Sequence, residues 1–303
     1  MVRAVLAVTL ISHSEAYYST RRLLEAGQGL GYDMRRLDPI RVVLTAAPRP
    51  AIAEDGVEWP VPDVVVPRIG ERLQSWSLAL LEAWTIRGAR TATRPDALMH
   101  ASDKLLTTLK LIEAGVPTIP TAAIREPFHV DHALAAIESM GSGDTWVFKK
   151  RTGTGGVGVA LAPGWVSGRS VLGALVADRE TVLVQPYVKT APTRDLRVLV
   201  AGYEPLAAAW RVAADNEFRA NVHRGATMRA ALGEDVPHGA FELAIAAAKA
   251  IALPFAGVDL IETPSGLAVL EVNGSPGFQG IEEATARDLA TPFLERFVRF
   301  GGT

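Results

Sequence analysis

The stretch that most constrains this chain spans residues 257–277, GVDLIETPSGLAVLEVNGSPG. Residues 257–262 alternate and are rich in β-formers, Thr263-Pro264-Ser265-Gly266 is a turn, and 267–272 is a return strand, so the pattern predicts a β-hairpin. The hairpin puts Asp259 and Glu271 on adjacent strands at nearly the same height. Asn273, two residues beyond Glu271, points to the same face. Two carboxylates and a carboxamide converge with no basic residue nearby in sequence. An all-oxygen set is what Mg²⁺ or Mn²⁺ prefers, and zinc does not. The plainer alternative is a surface hairpin carrying two solvated acids. This stretch by itself leaves both open.

The rest of the composition narrows the chemistry. There is no cysteine, which excludes disulfides, thiol catalysis, iron–sulfur clusters and cysteine-ligated zinc. A formal net charge of −2 gives no reason to expect a nucleic acid or a membrane surface as partner. With 303 residues, 49% of them hydrophobic, the chain can build two or three cores. His129 and His132 share a helical face but lack a third ligand, and read as a solvated helix start. The apolar run 4–11 behind Arg3 has no small-residue cleavage pattern after it and reads as a buried first strand. No run reaches membrane-spanning length. These features together lead to the expectation of a cytoplasmic protein.

Along the chain, strands are expected at 4–11, 33–37 and 63–68, with helices at 19–30 and 73–87. This alternation implies a parallel α/β sheet over about the first third. Residues 42–62 read as looser connection or edge structure, with five prolines from 48 to 67. Residues 91–95 look like a linker. Ser102 can cap a helix reaching Ala114 and closed by Gly115. A compact α+β unit follows, with helix 129–140, strands 145–150 and 159–162, helix 170–177 and strand 181–188. From Asp195 the expected order is two strands, a loop, helix 240–251, the hairpin and two short helices.

Gly153-Thr154-Gly155-Gly156-Val157-Gly158 contains GxGxxG. The dinucleotide-binding version of that motif sits between a strand and a helix. Here the following VALAP cannot open a helix, so the loop joins two strands. No Gly-Lys-Ser/Thr follows, and the chain has no His-Arg-Asp or Asp-Phe-Gly motif, which sets aside Walker and protein-kinase loops. What remains is a glycine lid whose backbone N–H groups can close on phosphates, or a plain glycine turn. Only six lysines occur. Lys149 enters the glycine loop, and Lys104 sits in the first turn of a helix, where a cation opposes the helix dipole. A ligand-directed role suits both, although surface lysine is the default for each alone.

These residues resemble the ATP-grasp superfamily and, within it, the RimK-type α-L-glutamate ligases. The resemblance runs from end to end. Its motifs are PRIG at 67–70, SDKLLTTLKLIEAGVPTIPT at 102–121, FKKRTGTGGVGV at 148–159 and LVQPYVK at 183–189. They continue with DLRVLVAG at 195–202, FRANVHRGA at 218–226, GVDL at 257–260 and LEVNGSPGFQGIE at 270–282. The resemblance implies an α/β (α+β) ATP-grasp fold in three parts: a Rossmann-like pre-ATP-grasp domain at 1–95, a central lid subdomain at 96–187 and a C-terminal ATP-grasp subdomain at 188–303. By position in the motifs, it implies that Lys104 and Lys149 meet the ATP phosphates and that Gly153, Thr154, Gly155, Gly156 and Gly158 form the lid. Gln185, Pro186, Tyr187 and Val188 match the hinge that reads adenine through backbone groups, and Asp195 the acidic position near the ribose. Arg219 and Asn221 match the phosphate and substrate side, with Arg211 and Arg224 beside them as catalytic candidates. Asp259, Glu271 and Asn273 match the ligands of two Mg²⁺ or Mn²⁺ ions. Pro186 departs from the family, which usually has Glu there; one N–H and an acidic side chain are lost.

The implied reaction is ADP-forming ligation. ATP converts an acceptor carboxylate to an acylphosphate, and the α-amine of an amino acid, glutamate by resemblance, displaces phosphate. The acceptor is a peptide, a protein C-terminus or a coenzyme, and the protein is expected to be a homo-oligomer, dimer or tetramer. Arg211, Arg219 and Arg224 offer guanidinium charge for a substrate with two carboxylates. Two other readings keep the fold: an ATP-binding regulatory module without turnover, and phosphate transfer to a hydroxyl.

Overall fold

The computed structural model describes residues 5–70, 73–140, 143–153, 155–215, 217–220 and 225–301. The chain opens with β1 (Ala7–Ile11), α1 (Tyr18–Gly29), β2 (Asp33–Leu37), β3 (Val42–Thr45), β4 (Ala51–Glu54), β5 (Val57–Glu58), β6 (Val64–Pro67) and α2 (Gln74–Ile86). Strands β2, β1 and β6 form a parallel sheet in that order, as the strand–helix alternation implies. The Val-Val-Val run of β6 is buried throughout, the usual state of a parallel strand covered on both faces. Residues 42–62 are more ordered than expected: β3, β4 and β5 pair as a small antiparallel sheet. Pro48 and Pro50 lie in the turn before β4, and Pro60 and Pro62 lie beyond β5. The prolines bracket the strands, where they remove no ladder bond.

The expected linker is confined to 91–94. Pro95 then opens α3 (Pro95–Ser102) at the first helical position, where its missing N–H costs nothing, and α4 (Lys104–Glu113) follows at once. The cap of α4 is Asp103, one residue later than expected. Its Oδ1 accepts from the Leu105 and Leu106 N–H groups at 3.0 and 3.1 Å, while the Ser102 hydroxyl donates back to Met99 O and belongs to the end of α3.

The central unit contains β7 (Ala122–Ile124), α5 (Val130–Glu138), β8 (Thr145–Lys150), β9 (Val159–Pro163), α6 (Gly164–Leu175) and β10 (Val182–Pro186). Its antiparallel sheet has the order β7-β10-β8-β9. Helix α6 starts at Gly164, where sequence reading begins it only at 170. Gly168, which looks like a helix breaker, is there for packing: a Cβ at this position would sit 2.8 Å from the Trp146 ring. Leu134, Ile137, Trp146, Phe148 and Leu172 form a core that belongs to this unit alone.

The last part contains β11 (Arg194–Ala201), β12 (Glu204–Val212), β13 (Thr227–Ala230), α7 (Ala240–Ala250), β14 (Phe255–Thr263), β15 (Gly266–Asn273), α8 (Gln279–Thr285) and α9 (Ala290–Phe300). The strand order is β13-β12-β11-β14-β15, antiparallel throughout. The predicted hairpin is β14–β15, with Asp259 directly opposite Glu271 and Gly257 opposite Asn273. The register slips after Asp259, so that Leu260 faces Val269 and Leu270 is left as a bulge beside Glu271. This sheet shares its cores with the N-terminal one: Ile11, Val65 and Leu80 pack in one cluster with Leu196, Leu253 and Val258. Among the described residues no helix is long and apolar enough to cross a membrane.

Buried Glu282 ties the two ends of the chain together. Its Oε1 accepts from Leu289 N–H at 2.7 Å and Ala290 N–H at 3.2 Å at the start of α9. Its Oε2 accepts from the Tyr18 hydroxyl at 2.8 Å and Arg22 Nε at 3.3 Å on α1. Glu282→Ala removes a helix cap and a buried charge partner together. The expected loss is about 2 kcal/mol of stability in urea denaturation, with nucleotide affinity unchanged.

Candidate active site

A cleft of about 1000 Å³, counted out to its open mouth, is walled by β8, β9 and β10 on one side and β11, β12, β14 and β15 on the other. That is the size of a pocket for a nucleotide-sized ligand. Of the expected site residues that are described, all but Gly158 and Asn273 line it. Thr154, Asn221 and Arg224 lie outside the described residues, as does His223 next to them.

The floor is a set of cross-strand ion pairs. Asp195 on β11 faces Arg211 on β12, and Arg197 on β11 faces Asp259 on β14. Arg197 forks both oxygens of Asp259 at 2.7 Å each. Arg211 bridges the two acids, with Nε 2.6 Å from Asp195 Oδ1 and Nη2 2.7 Å from Asp259 Oδ2. Asp259 is 1% exposed. Burial alone would raise its pKa, but the two guanidiniums outweigh burial and hold it below the ordinary carboxylate value. At Asp195 burial wins, with the Asp259 charge adding to it, and the pKa rises to about 6. The four charges sum to zero. Arg197 is absent from the sequence-level site, because its role depends on a register that no spacing reveals.

Above this floor stand two ammonium groups and one carboxylate. Lys104 Nζ is 3.6 Å from Glu271 Oε1 and donates to the carbonyl of Gly153. Lys149 is half-buried on β8. Loss of water around it lowers its pKa to about 8; Glu271 pulls upward and Lys104 pushes down. Glu271 is the leading acid acting on Lys149, ahead of Asp259 and Asp195, which are already paired with Arg197 and Arg211. Gly153, Gly155, Gly156 and Gly158 all have φ between 65° and 126°, a backbone region that β-carbons disfavour, so the loop needs its glycines.

The carboxylate hairpin fits a hard divalent cation. Glu271 is a third exposed, with Lys104 as its ion-pair partner. Asp259 accepts one hydrogen bond on Oδ1 and two on Oδ2, which leaves acceptor capacity on Oδ1. Asn273 Nδ2 donates to Gly257 O at 3.5 Å, and Asn273 stands outside the cleft lining. Among the described residues no three His, Cys, Asp or Glu side chains cluster as a closed metal cage. Two carboxylates completed by ligand phosphates is the ordinary way Mg²⁺ is held.

Ile119, Val147, Val188, Ile261 and bulged Leu270 supply the apolar walls of the cleft. At the hinge, Tyr187 N–H is already taken by Thr145 O at 2.9 Å, and Pro186 has no N–H. Val188 lines the cleft, and its N–H makes no backbone hydrogen bond among the described residues. Gln185 is buried and donates to the Thr121 hydroxyl at 2.9 Å, a structural contact.

Of the three arginines expected to carry spare charge, Arg211 and Arg219 are paired with acids, and Arg224 lies outside the described residues. Arg211 is neutralised in the floor. Arg219 is forked by Glu217 at 2.9 Å through Nε and Nη2, and its Nη1 donates to Gly156 O and Val159 O of the glycine loop at 3.2 and 3.3 Å. Glu217 is pulled down to about 2, chiefly by that hydrogen bond. Arg68, just after β6, has no carboxylate partner among the described residues. Its Nη2 donates to Pro276 O at 2.8 Å, its buried Nε has no partner, and burial lowers its pKa to about 10.

Comparison with known proteins agrees with this geometry. The RimK-like ATP-grasp domain model matches residues 101–297, and the RimK PreATP-grasp domain model matches residues 6–98. A probable alpha-L-glutamate ligase from Thioalkalivibrio sulfidiphilus is 36% identical over 298 residues, covering 96% of both chains. Probable alpha-L-glutamate ligase 2 from Pseudoalteromonas atlantica is 34% identical over 293 residues, covering 96% of this chain and 95% of that one. Among solved structures, a RimK domain protein ATP-grasp from Sphaerobacter thermophilus superposes with a TM-score of 0.72 at 21% identity, covering 96% of this chain and 99% of that one. The ATP-grasp ligase PsnB, complexed with a phosphomimetic variant of its minimal precursor, Mg and ADP, superposes with a TM-score of 0.69 at 18% identity, covering 99% of this chain and all of that one. The last two likenesses establish the ATP-grasp fold.

The lowered pKa of Lys149 has a measurable consequence. The side chain is charged below about pH 8 and neutral above it. An anion that needs this charge binds less well as pH rises, by about 25-fold between pH 7.5 and 9.5. Calorimetric titration with MgATP checks this. Lys149→Arg, which keeps its charge over the whole range, is expected to flatten the profile.

Proposed function

Because this chain belongs to the RimK-like ATP-grasp family, we propose that it is an ATP-dependent ligase that activates an acceptor carboxylate as an acylphosphate and joins it to the α-amine of glutamate. The observation that carries this reading is the meeting of three features in one cleft: two ammonium groups, a glycine loop between strands, and the Asp259–Glu271 pair at one register position. The amino substrate and the amide-forming outcome come from the relatives named probable alpha-L-glutamate ligases.

Adenine takes the slot between Ile119, Val147, Ile261 and Leu270, with Val188 N–H as its backbone donor. Asp195 lies on the ribose side. Lys104, Lys149 and the N–H groups of the glycine loop face the phosphates. Glu271, Asp259 and Asn273 would hold divalent ions, two by resemblance, which neutralise phosphate charge when bound. An acceptor carboxylate oxygen attacks the γ-phosphorus, ADP leaves, and the acyl carbon is now joined to phosphate. The amine nitrogen attacks that carbon, phosphate departs with the bridging oxygen, and the nitrogen gives up a proton. Positioning and charge neutralisation are the main demands of the first step. Lys104 and Lys149 answer the second, and Arg224 is the arginine that the family resemblance offers for the oxyanion. No side-chain nucleophile is needed. Arg68, with no carboxylate partner beside Pro276, takes a substrate carboxylate in this reading.

The deciding experiment measures amide product and ADP together. With MgATP, glutamate and a panel of carboxylate acceptors, amide and ADP are expected to appear in equal amounts, with glutamate preferred over lysine or alanine at equal concentration. ADP without amide would support phosphate transfer or idle hydrolysis instead. Glu271→Gln is expected to lower turnover about a hundredfold while keeping the fold, because it removes a charge that acts on the reacting phosphates. Wild-type turnover in that variant would remove Glu271 from the reacting centre.

A further inference from the structure

Lys104 and Lys149 belong to different elements, and their like charges push apart. Lys149 is fixed in mid-sheet, with Val159 and Leu183 on either side. Lys104 is the first residue of α4, at the end of a helix where a cation is disfavoured. The link between them is the pair Asp103–Arg151. Asp103 immediately precedes Lys104, and Arg151 follows Lys149 by two residues. Arg151 Nε lies 2.6 Å from Asp103 Oδ2. In the same place Lys104 N–H donates to Arg151 O at 3.0 Å, and Arg151 N–H donates to Thr181 O at 3.2 Å, which anchors the arginine to the chain entering β10.

The pair does more than a cap requires. Asp103 caps α4 with Oδ1 alone. Asn or Ser caps a helix as well as Asp, so the cap does not call for the second oxygen or the charge. Those are used on Arg151. The pair Lys110–Glu113 farther along α4, at 2.7 Å, is exposed at both ends and lies outside the cleft lining, so it serves as an internal comparison.

We propose that Asp103 and Arg151 are positioning residues: their ion pair is a clasp that holds the helix bearing Lys104 against the strand bearing Lys149, and so sets the spacing at which the two ammonium groups receive phosphate oxygens. This rests on the cleft being the nucleotide site, and it extends that reading to residues that do not touch the nucleotide.

The test uses the full chain and binding of the Mg²⁺ complex of AMPPNP, measured by titration calorimetry. Asp103→Asn keeps the cap and loses the charge pair; Arg151→Met loses it from the other side. Each is expected to weaken binding about tenfold, and the double variant no more than either single, because one interaction is lost in all three. Arg151→Lys is expected to recover most of the loss, and Lys110→Met to bind within about twofold of the parent chain. Melting temperatures of the five variants are expected to stay close to that of the parent. Parent-like binding in Asp103→Asn and Arg151→Met, multiplying effects in the double variant, or binding losses that track melting temperature would overturn the clasp. Failure of the parent chain to bind the probe overturns both the clasp and the nucleotide-site reading. Binding without amide formation tells against the ligase chemistry alone.

Discussion

The site depends on one buried carboxylate. Asp259 is closed off from water and survives as an anion because Arg197 and Arg211 reach it from β11 and β12. Removing one partner of such a cluster leaves an uncompensated charge, at a cost of about 3–5 kcal/mol. The sheet order is thus an electrostatic requirement as well as a packing arrangement: β11 must lie between β12 and β14 for Asp195, Arg211, Arg197 and Asp259 to meet as facing pairs. Two of the four residues line the cleft as acids. The neutral floor they help to make lets the lysines above it direct their charge outward.

That outward charge is held against its own repulsion. Two ammonium groups facing one carboxylate are poorly placed without an anion, and burial has already pulled Lys149 toward neutrality. A ligand rich in phosphate oxygens would supply the opposing charge that these ammonium groups lack. In the proposed clasp, Asp103 and Arg151 would matter without touching the ligand.

Much of this could be read from the chain. The hairpin was legible because Asp259 and Glu271 flank a Thr-Pro-Ser-Gly turn with alternating residues on both sides, and local pairing fixes local register. The glycine loop was legible because VALAP cannot begin a helix. The bulge at Leu270 was not, since a single extra residue leaves the alternation readable either way. Arg197 was missed because it sits two strands away in sequence from the acid it grips. Spare guanidinium charge was sought at Arg211, Arg219 and Arg224; the acidic partners of the first two come from a strand pairing and a turn, and the third lies outside the described residues. The three-stranded β3-β4-β5 sheet was hidden by prolines that lie in its turns. Ser102 and Asp103 are both good caps, and only the backbone shows that the first belongs to the preceding helix.

The central unit builds its core from its own residues, whereas the N-terminal and C-terminal sheets pack against each other. The molecule therefore contains two cooperative blocks, with the cleft along the seam between them. In calorimetry such a chain has no obligation to melt in a single step, and one midpoint would average two. A ligand bound across the seam is lost when either block opens, so it stabilises both by mass action and draws their transitions together. The separate core thus makes the cleft a thermodynamic coupling point, where saturation with ligand converts two weakly linked unfolding units into one.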